Sequence, residues 1–239
     1  MWSQDNQTMQ SEIFLSILVP VYNEERTLLR LLQAVLENLP EQTEVIVVDD
    51  GSSDQTPEIL LGFQASVQVV RQPQNLGKGA AIRRGLELAK GKYVLIQDAD
   101  LEYNPKDYPV LLKPLHEGKA DIVYGSRFLN NGRRGSYLTF YIANRFLTIL
   151  TNLCTGLELT DMETCYKVVP LQALKSLNLQ ENGFGIEPEI TCRLARQTNL
   201  RFMEVPIDYL GRTHQEGKKI KWRDGVKAVF QIFRYTYFK

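Results

Sequence analysis

The stretch EVIVVDDGSSDQTPEILLGF (44–63) decides the fold. Its first part is apolar and β-branched without polar alternation, the pattern of a strand covered on both faces. The run stops at Asp49 and Asp50, Gly51 permits a tight turn, and Ser52, Ser53 and Asp54 are N-cap candidates for a helix over 52–63. A buried strand that passes through a tight acidic turn into a helix is half of a parallel β-α-β unit.

The same alternation extends outward on both sides. IFLSILVPVY (13–22) reads as a strand, and EERTLLRLLQAVLEN (24–38) as a helix with leucines at helical spacing. SVQVVRQ (66–72), KYVLIQDAD (92–100) and ADIVYGSRF (120–128) read as strands, with helices at 77–91 and 104–118 between them. The second half is less regular: a helix over 137–153, a short strand CYKVVP (165–170), a helix over 187–198 and a strand over 200–210. The expected fold class is α/β, a mostly parallel central sheet with helices on both faces. One domain spans 13–210, and 211–239 is a basic connector with a C-terminal amphipathic helix.

Bulk properties narrow the function classes. The 239 residues are 44% apolar, and Lys plus Arg equals Asp plus Glu at 28 each, so no overall charge points to nucleic acid. Cys154, Cys165 and Cys192 are too few and too scattered for a disulfide framework or a zinc site, and free thiols in a reducing cytoplasm are expected. His116 and His214 neighbour no nucleophile pattern, which leaves hydrolytic triads without support. The polar N-terminus lacks a signal-peptide layout, and no run reaches the roughly 18 apolar residues of a spanning helix.

Ligands of such sheets gather at the carboxyl ends of the strands, and the unusual residues lie there: Asn23 and Glu24, Asp49 and Asp50, Asp98 and Asp100, Ser126 and Arg127. In QDADLEYNP (97–105), an extended chain puts Asp98 and Asp100 on one face with Glu102 following. Hard oxygens of this kind suit Mg²⁺ or Mn²⁺, and a solvated acidic turn is the bland reading. Asp49 and Asp50 can accept hydrogen bonds from a base or ribose. NLGKGAAIRRG is not a dinucleotide fingerprint, because Ile82 stands where the third glycine belongs. Lys78, at a helix N-terminus, can help hold a diphosphate, or can be a surface lysine.

Taken in order, PVYNEE, VVDDGSSDQT, NLGKGAAIRRG and QDADLEYNP resemble the donor-binding half of family 2 glycosyltransferases with the GT-A fold. GSRF, LTDMETCYKVVP and EPEITCRLA narrow the resemblance to dolichyl-phosphate mannose and glucose synthases and their bacterial relatives. It implies an inverting, metal-dependent transfer of a hexose from a UDP- or GDP-linked donor to a polyprenyl phosphate. Pro20, Tyr22, Glu24, Asp50, Lys78 and Asp98 are then expected at the nucleotide sugar, and Asp98, Asp100 and Glu102 at Mg²⁺ or Mn²⁺. Arg127 is expected to meet the acceptor phosphate, Asp161 to lie beside the reacting sugar, and Lys167 to serve a phosphate. Two departures stand out: Thr164-Cys165-Tyr166 replaces a small-Gly-Phe pattern, and the transmembrane helices common among lipid-acceptor synthases are missing. A sugar hydroxyl as acceptor would need Asp161 as a base, whereas an ionised phosphate would not. Transfer to such a hydroxyl, or a catalytically silent nucleotide-sugar-binding module, are the alternatives.

The tail bears on the acceptor. In GRTHQEGKKIKWR (211–223), Arg212, Lys218, Lys219, Lys221 and Arg223 face one acid, Glu216. The helix after it sets Arg223, Lys227, Gln231 and Arg234 against Val226, Val229, Phe230, Phe233 and Tyr237. A basic, aromatic amphipathic helix fits peripheral contact with the cytoplasmic face of a membrane, and equally fits packing on the domain.

Overall fold

The structure is a computed structural model that describes residues 12–129, 138–211 and 222–238. Seven strands form one sheet: β1 (Leu15–Val21), β2 (Thr43–Asp49), β3 (Gln68–Arg71), β4 (Tyr93–Ile96), β5 (Ile122–Ser126), β6 (Lys167–Pro170) and β7 (Phe202–Pro206). Their order is β3-β2-β1-β4-β6-β5-β7. Every pairing is parallel except those of β6, which runs antiparallel between β4 and β5. β1, β2, β4 and β5 are buried along almost their whole length, which is why they lack polar alternation.

Around the sheet lie α1 (Leu28–Glu37), α2 (Thr56–Leu61), α3 (Lys78–Leu88), α4 (Tyr108–His116), α5 (Leu138–Thr155), α6 (Leu171–Ser176), α7 (Ile186–Ala195) and α8 (Trp222–Tyr237). Two boundaries differ from expectation for a local reason. α1 starts at Leu28, because 23–26 form a turn stitched to the segment 52–56: Asn23 N–H donates to Ser52 Oγ at 2.9 Å, and Ser53 N–H to Asn23 Oδ1 at 2.9 Å. β4 ends at Ile96, so Asp98 and Asp100 stand in a turn closed by Leu101 at φ 62°, not in an extended strand. The i, i+2 argument for their common direction therefore fails.

The C-terminal helix packs on the domain by one face and leaves a second apolar face exposed. α8 packs against α5 and α7 through Ala228, Gln231, Ile232 and Tyr235, all buried. Val226, Phe230, Phe233 and Tyr237 stay exposed. Gln231, expected on the polar face, lies inward against Gly185. The basic connector from 212 to 221, with His214, Lys218, Lys219 and Lys221, lies outside the described residues.

Candidate active site

A cavity of about 520 Å³ opens at the carboxyl ends of β1, β2 and β4. Pro20, Tyr22, Glu24, Asp50, Lys78, Asp98, Asp100, Glu102 and Arg127 all line it. Asp161 and Lys167 do not.

The two N-terminal acidic motifs form one framework. Glu24 is buried, its Oε2 accepts from Thr27 Oγ1 at 2.7 Å, and its amide donates to Thr56 Oγ1 at 2.9 Å. Asp49 is buried behind the cavity, accepting from the Ser52 amide at 2.9 Å and pairing with Arg71 at 3.2 Å. Asp50 accepts from Gln72 Nε2 at 2.6 Å and from the Leu76 and Gly77 amides at 2.9 and 2.7 Å. It pins the loop that leads into α3 while still lining the cavity.

That loop explains the glycines of NLGKG. Asn182 O accepts from the Gly79 and Ala80 amides at 2.7 and 3.2 Å. A Cβ at Gly79 would stand 2.1 Å from Glu181 O, so only glycine lets the 181–182 segment approach. These amides are thereby used, and the α3 N-terminus is no anion cradle of the kind expected. What reaches the cavity there is the Lys78 ammonium, 2.8 Å from Asp98 Oδ1 and 3.0 Å from Glu187 Oε1. Burial opposes its charge, but Asp98 and Glu187 outweigh that and hold it well above the ordinary lysine value.

Asp98, Asp100 and Glu102 share the cavity wall without forming a cage. Glu102 Oε2 accepts from Tyr209 Oη at 2.6 Å, Asp100 Oδ1 accepts from the Glu102 amide at 3.1 Å, and Asp98 faces Lys78. Among the described residues no group of three His, Cys, Asp or Glu side chains converges as a metal site. The donor set is one or two hard carboxylates beside open cavity. It fits a cation such as Mg²⁺ or Mn²⁺ that completes its shell with substrate phosphate and water.

At the other end, Arg127 follows β5 and is fixed by Asp161. Its Nε and Nη2 each lie 2.7 Å from an Asp161 oxygen, and its amide donates to Oδ2 at 3.0 Å. Asn144 of α5 adds a donor to Asp161 at 3.3 Å, and the Asp161 amide donates to Glu204 at 3.0 Å. Burial disfavours the guanidinium charge, and Asp161 more than compensates, leaving Arg127 well above its ordinary value. Tyr209 stacks beneath it at 5.0 Å. Asp161 is fully buried and therefore positions Arg127; it does not present a base to the cavity.

Lys167 also departs from expectation. It is 1% exposed, and its ammonium bonds Glu187 and the Thr164 carbonyl. It holds Glu187 from behind and reaches no phosphate in the cavity. Two carboxylates that sequence reading passed over do line it: Glu187, on the first turn of α7, and Glu163. The signal for Glu187 is a pair of acids, Glu187 and Glu189, in a helix start whose other residues are apolar, IEPEI. Glu163 was masked by its neighbour Asp161 in the same motif.

Comparison with known proteins identifies the family and the fold. The model of the family Glycosyl transferase family 2 matches residues 16–177, more than half of the chain. An uncharacterized protein of Methanocaldococcus jannaschii is 30% identical over 99% of this chain and 97% of its own length. A dolichyl-phosphate beta-glucosyltransferase of Trichomonas vaginalis is 28% identical, covering 95% of this chain and 74% of that protein. Among solved structures, glucosyl-3-phosphoglycerate synthase from Mycobacterium tuberculosis, in complex with Mn²⁺, uridine diphosphate and glucosyl-3-phosphoglycerate, superposes with a TM-score of 0.73. At 20% identity over all of this chain and 88% of that one, it shows that the fold is shared.

Proposed function

Since this chain belongs to glycosyl transferase family 2, we propose that it moves a hexose, with inversion, from a UDP-linked donor to the phosphate of a polyprenyl carrier at a membrane surface. The observation that carries the reading is one cavity that holds both an acidic cluster and a fixed arginine. Lys78, the carboxylates Asp98, Asp100 and Glu102, and Arg127 all line it, Tyr209 touches both Glu102 and Arg127, and further wall comes from α5 and α8.

The nucleoside lies against Pro20, Tyr22 and Asp50, and the diphosphate against Lys78 and the Asp98 side. Asp98, with Asp100 or Glu102, would hold a divalent cation, which would supply positive charge to offset that of the leaving diphosphate. Lys78 adds a fixed positive charge to the same end, and Glu187 keeps it there. Arg127, locked in one orientation by Asp161, presents its remaining donors to the acceptor phosphate. A phosphate monoester is largely ionised near neutral pH, so its oxygen attacks the anomeric carbon without a strong base. The burial of Asp161 is consistent with that chemistry.

The lipid part of the reading rests on the helices at the mouth. α5 exposes Ile142, Phe146, Ile149 and Leu153, and α8 exposes Val226, Phe230, Phe233 and Tyr237. Both sets follow the spacing i, i+4, i+7, i+11, one stripe per helix. The inner side of α5 supplies Phe140, Tyr141 and Leu147 to the cavity, a wall suited to the first prenyl units. No helix among the described residues is long and apolar enough to cross a membrane, so contact is peripheral. The relative that acts on dolichyl phosphate supports the same acceptor class.

The test is transfer of labelled sugar into an organic-extractable phase. Purified protein receives UDP-glucose, UDP-N-acetylglucosamine or GDP-mannose, Mn²⁺ or Mg²⁺, and both undecaprenyl phosphate and 3-phosphoglycerate as competing acceptors. Label in the lipid phase, lost in Asp98→Ala, is the expected result. Label transferred instead to 3-phosphoglycerate in the aqueous phase would overturn the lipid acceptor while keeping the transferase.

A further inference from the structure

Glu163 lines the cavity, and none of the donor or acceptor contacts described above uses it. Its carboxyl lies within electrostatic range of Lys167, Glu187, Arg127 and Asp161. The ammonium of Lys167 bonds Glu187 and Thr164 O, and the guanidinium of Arg127 bonds Asp161, and neither cation bonds Oε1 of Glu163. Oε1 of Glu163 is shut off from solvent and has no hydrogen-bond partner among the described residues, although the residue lines the cavity. An acceptor oxygen buried without a donor costs free energy, and such a group in a substrate cavity points to a functional role or to a bound water.

The chemistry of that partner follows from the charge. A phosphate oxygen would be repelled by a carboxylate, and a prenyl chain would leave the oxygen orphaned. A polyol donates hydrogen bonds and carries no charge. On the donor reading above, the diphosphate lies by Lys78 and the acceptor phosphate by Arg127, so the hexose occupies the same cavity, whose wall includes Glu163. We propose that Glu163 binds the transferred hexose directly, its carboxylate accepting hydrogen bonds from sugar hydroxyls and so selecting the sugar.

The protonation equilibrium supports this. Burial pushes the Glu163 carboxyl up to about 7; Glu187 and Asp161 add to the rise, and Lys167 and Arg127 oppose it. These four charges come from the β6 strand, from α7, from the loop before β6 and from the end of β5. Acceptance of hydroxyl hydrogen bonds is strongest from the ionised form, so the hexose contribution to binding increases as pH rises through about 7.

The experiment is calorimetric titration of wild type and Glu163→Gln, with Mn²⁺, using UDP, UDP-glucose, UDP-N-acetylglucosamine, GDP and GDP-mannose. The expected result is that one sugar nucleotide loses about tenfold or more in affinity while its nucleoside diphosphate changes by less than about twofold. The advantage of that donor over its diphosphate should also grow between about pH 6 and about pH 8 in wild type and stay flat in the variant. If Gln unfolds the chain, Glu163→Asp, one methylene shorter, must give the same split. Unchanged donor affinity, or parallel loss of donor and diphosphate in a folded variant, overturns the assignment alone. A wild-type chain that binds no nucleotide overturns the donor reading and this assignment with it.

Discussion

Asp50 and Arg127 line the same cavity but are held there by different means. Asp50 is fixed by neutral donors, the amides of Leu76 and Gly77 and the side-chain amide of Gln72. Arg127 is fixed by a buried charge, Asp161. Ion pairs occur in both halves, Arg71–Asp49 and Lys78–Asp98 in the first and Lys167–Glu187 and Arg193–Glu189 in the second, so the contrast belongs to these two residues. A carboxylate held by amides keeps its charge for a ligand, while a charge held by its opposite is largely neutralised. At Asp50 the cavity therefore has a carboxylate whose holders are neutral, and at Arg127 a paired charge whose orientation matters more than its net charge.

The sharpest way to break the comparison is to remove one holder from each end. Asp161→Ala leaves Arg127 buried and unpaired and should cost about 3–5 kcal/mol of stability. Asp50→Ala leaves only neutral donors behind and should cost about 1–3 kcal/mol. Urea denaturation of both variants measures this, and equal losses would show that the two ends are held alike.

The next largest effect is on transfer. Asp98→Ala should lower kcat/KM by about 10²–10³ by removing charge aimed at the leaving diphosphate. The fold should persist, because Lys78 keeps Glu187 as a partner. A loss of less than about tenfold with saturating Mn²⁺ would remove Asp98 from the donor end.

A smaller effect separates Glu163 from the other carboxylates through pH. Its folded value is raised from 4.5 to about 7. Between these values the unfolded chain releases the proton and the folded chain keeps it, so stability falls as pH rises through this window. Glu163→Gln should flatten that fall, gaining on the order of 2 kcal/mol relative to wild type by about pH 8. Parallel stability profiles for the two proteins from about pH 5 to about pH 8 would place Glu163 in water and not in a sealed wall.

The same contrast explains what could be read in advance. The donor-end motifs are strand, turn and helix within a few residues, so EVIVVDDGSSDQT declared both its fold and its acidic turn. The common direction of Asp98 and Asp100 was argued from an extended chain, and the structure puts them on one wall through a turn at Leu101 instead. The acceptor end depends on contacts across long separations. Arg127 meets Asp161, Lys167 turns away to Glu187, and Asn182 covers the start of α3. No local pattern encodes these meetings. Residue type said that Asp161 and Lys167 were unusual; burial alone revealed that they serve other residues, and that Glu163 and Glu187 face the cavity in their place.

The smallest predicted effect concerns the outer surface. α8 has too many apolar residues for one face: Ala228, Ile232 and Tyr235 are covered by the protein, and Phe230 remains 69% exposed. A stripe left outward after the packing demand is met needs another reason, and a lipid interface supplies it. Phe230 reaches neither Arg127 nor the acidic wall, so its loss should spare the chemistry. Phe230→Ser should weaken partition onto phosphatidylglycerol vesicles by about 1 kcal/mol, roughly fivefold, since only part of the ring would be withdrawn from water. Transfer to a short-chain, water-soluble prenyl phosphate should be unchanged. Sedimentation with vesicles measures the first and the aqueous assay the second. A vesicle affinity equal to wild type, or a fall in aqueous transfer, would turn the stripe back into a part of the protein's own packing.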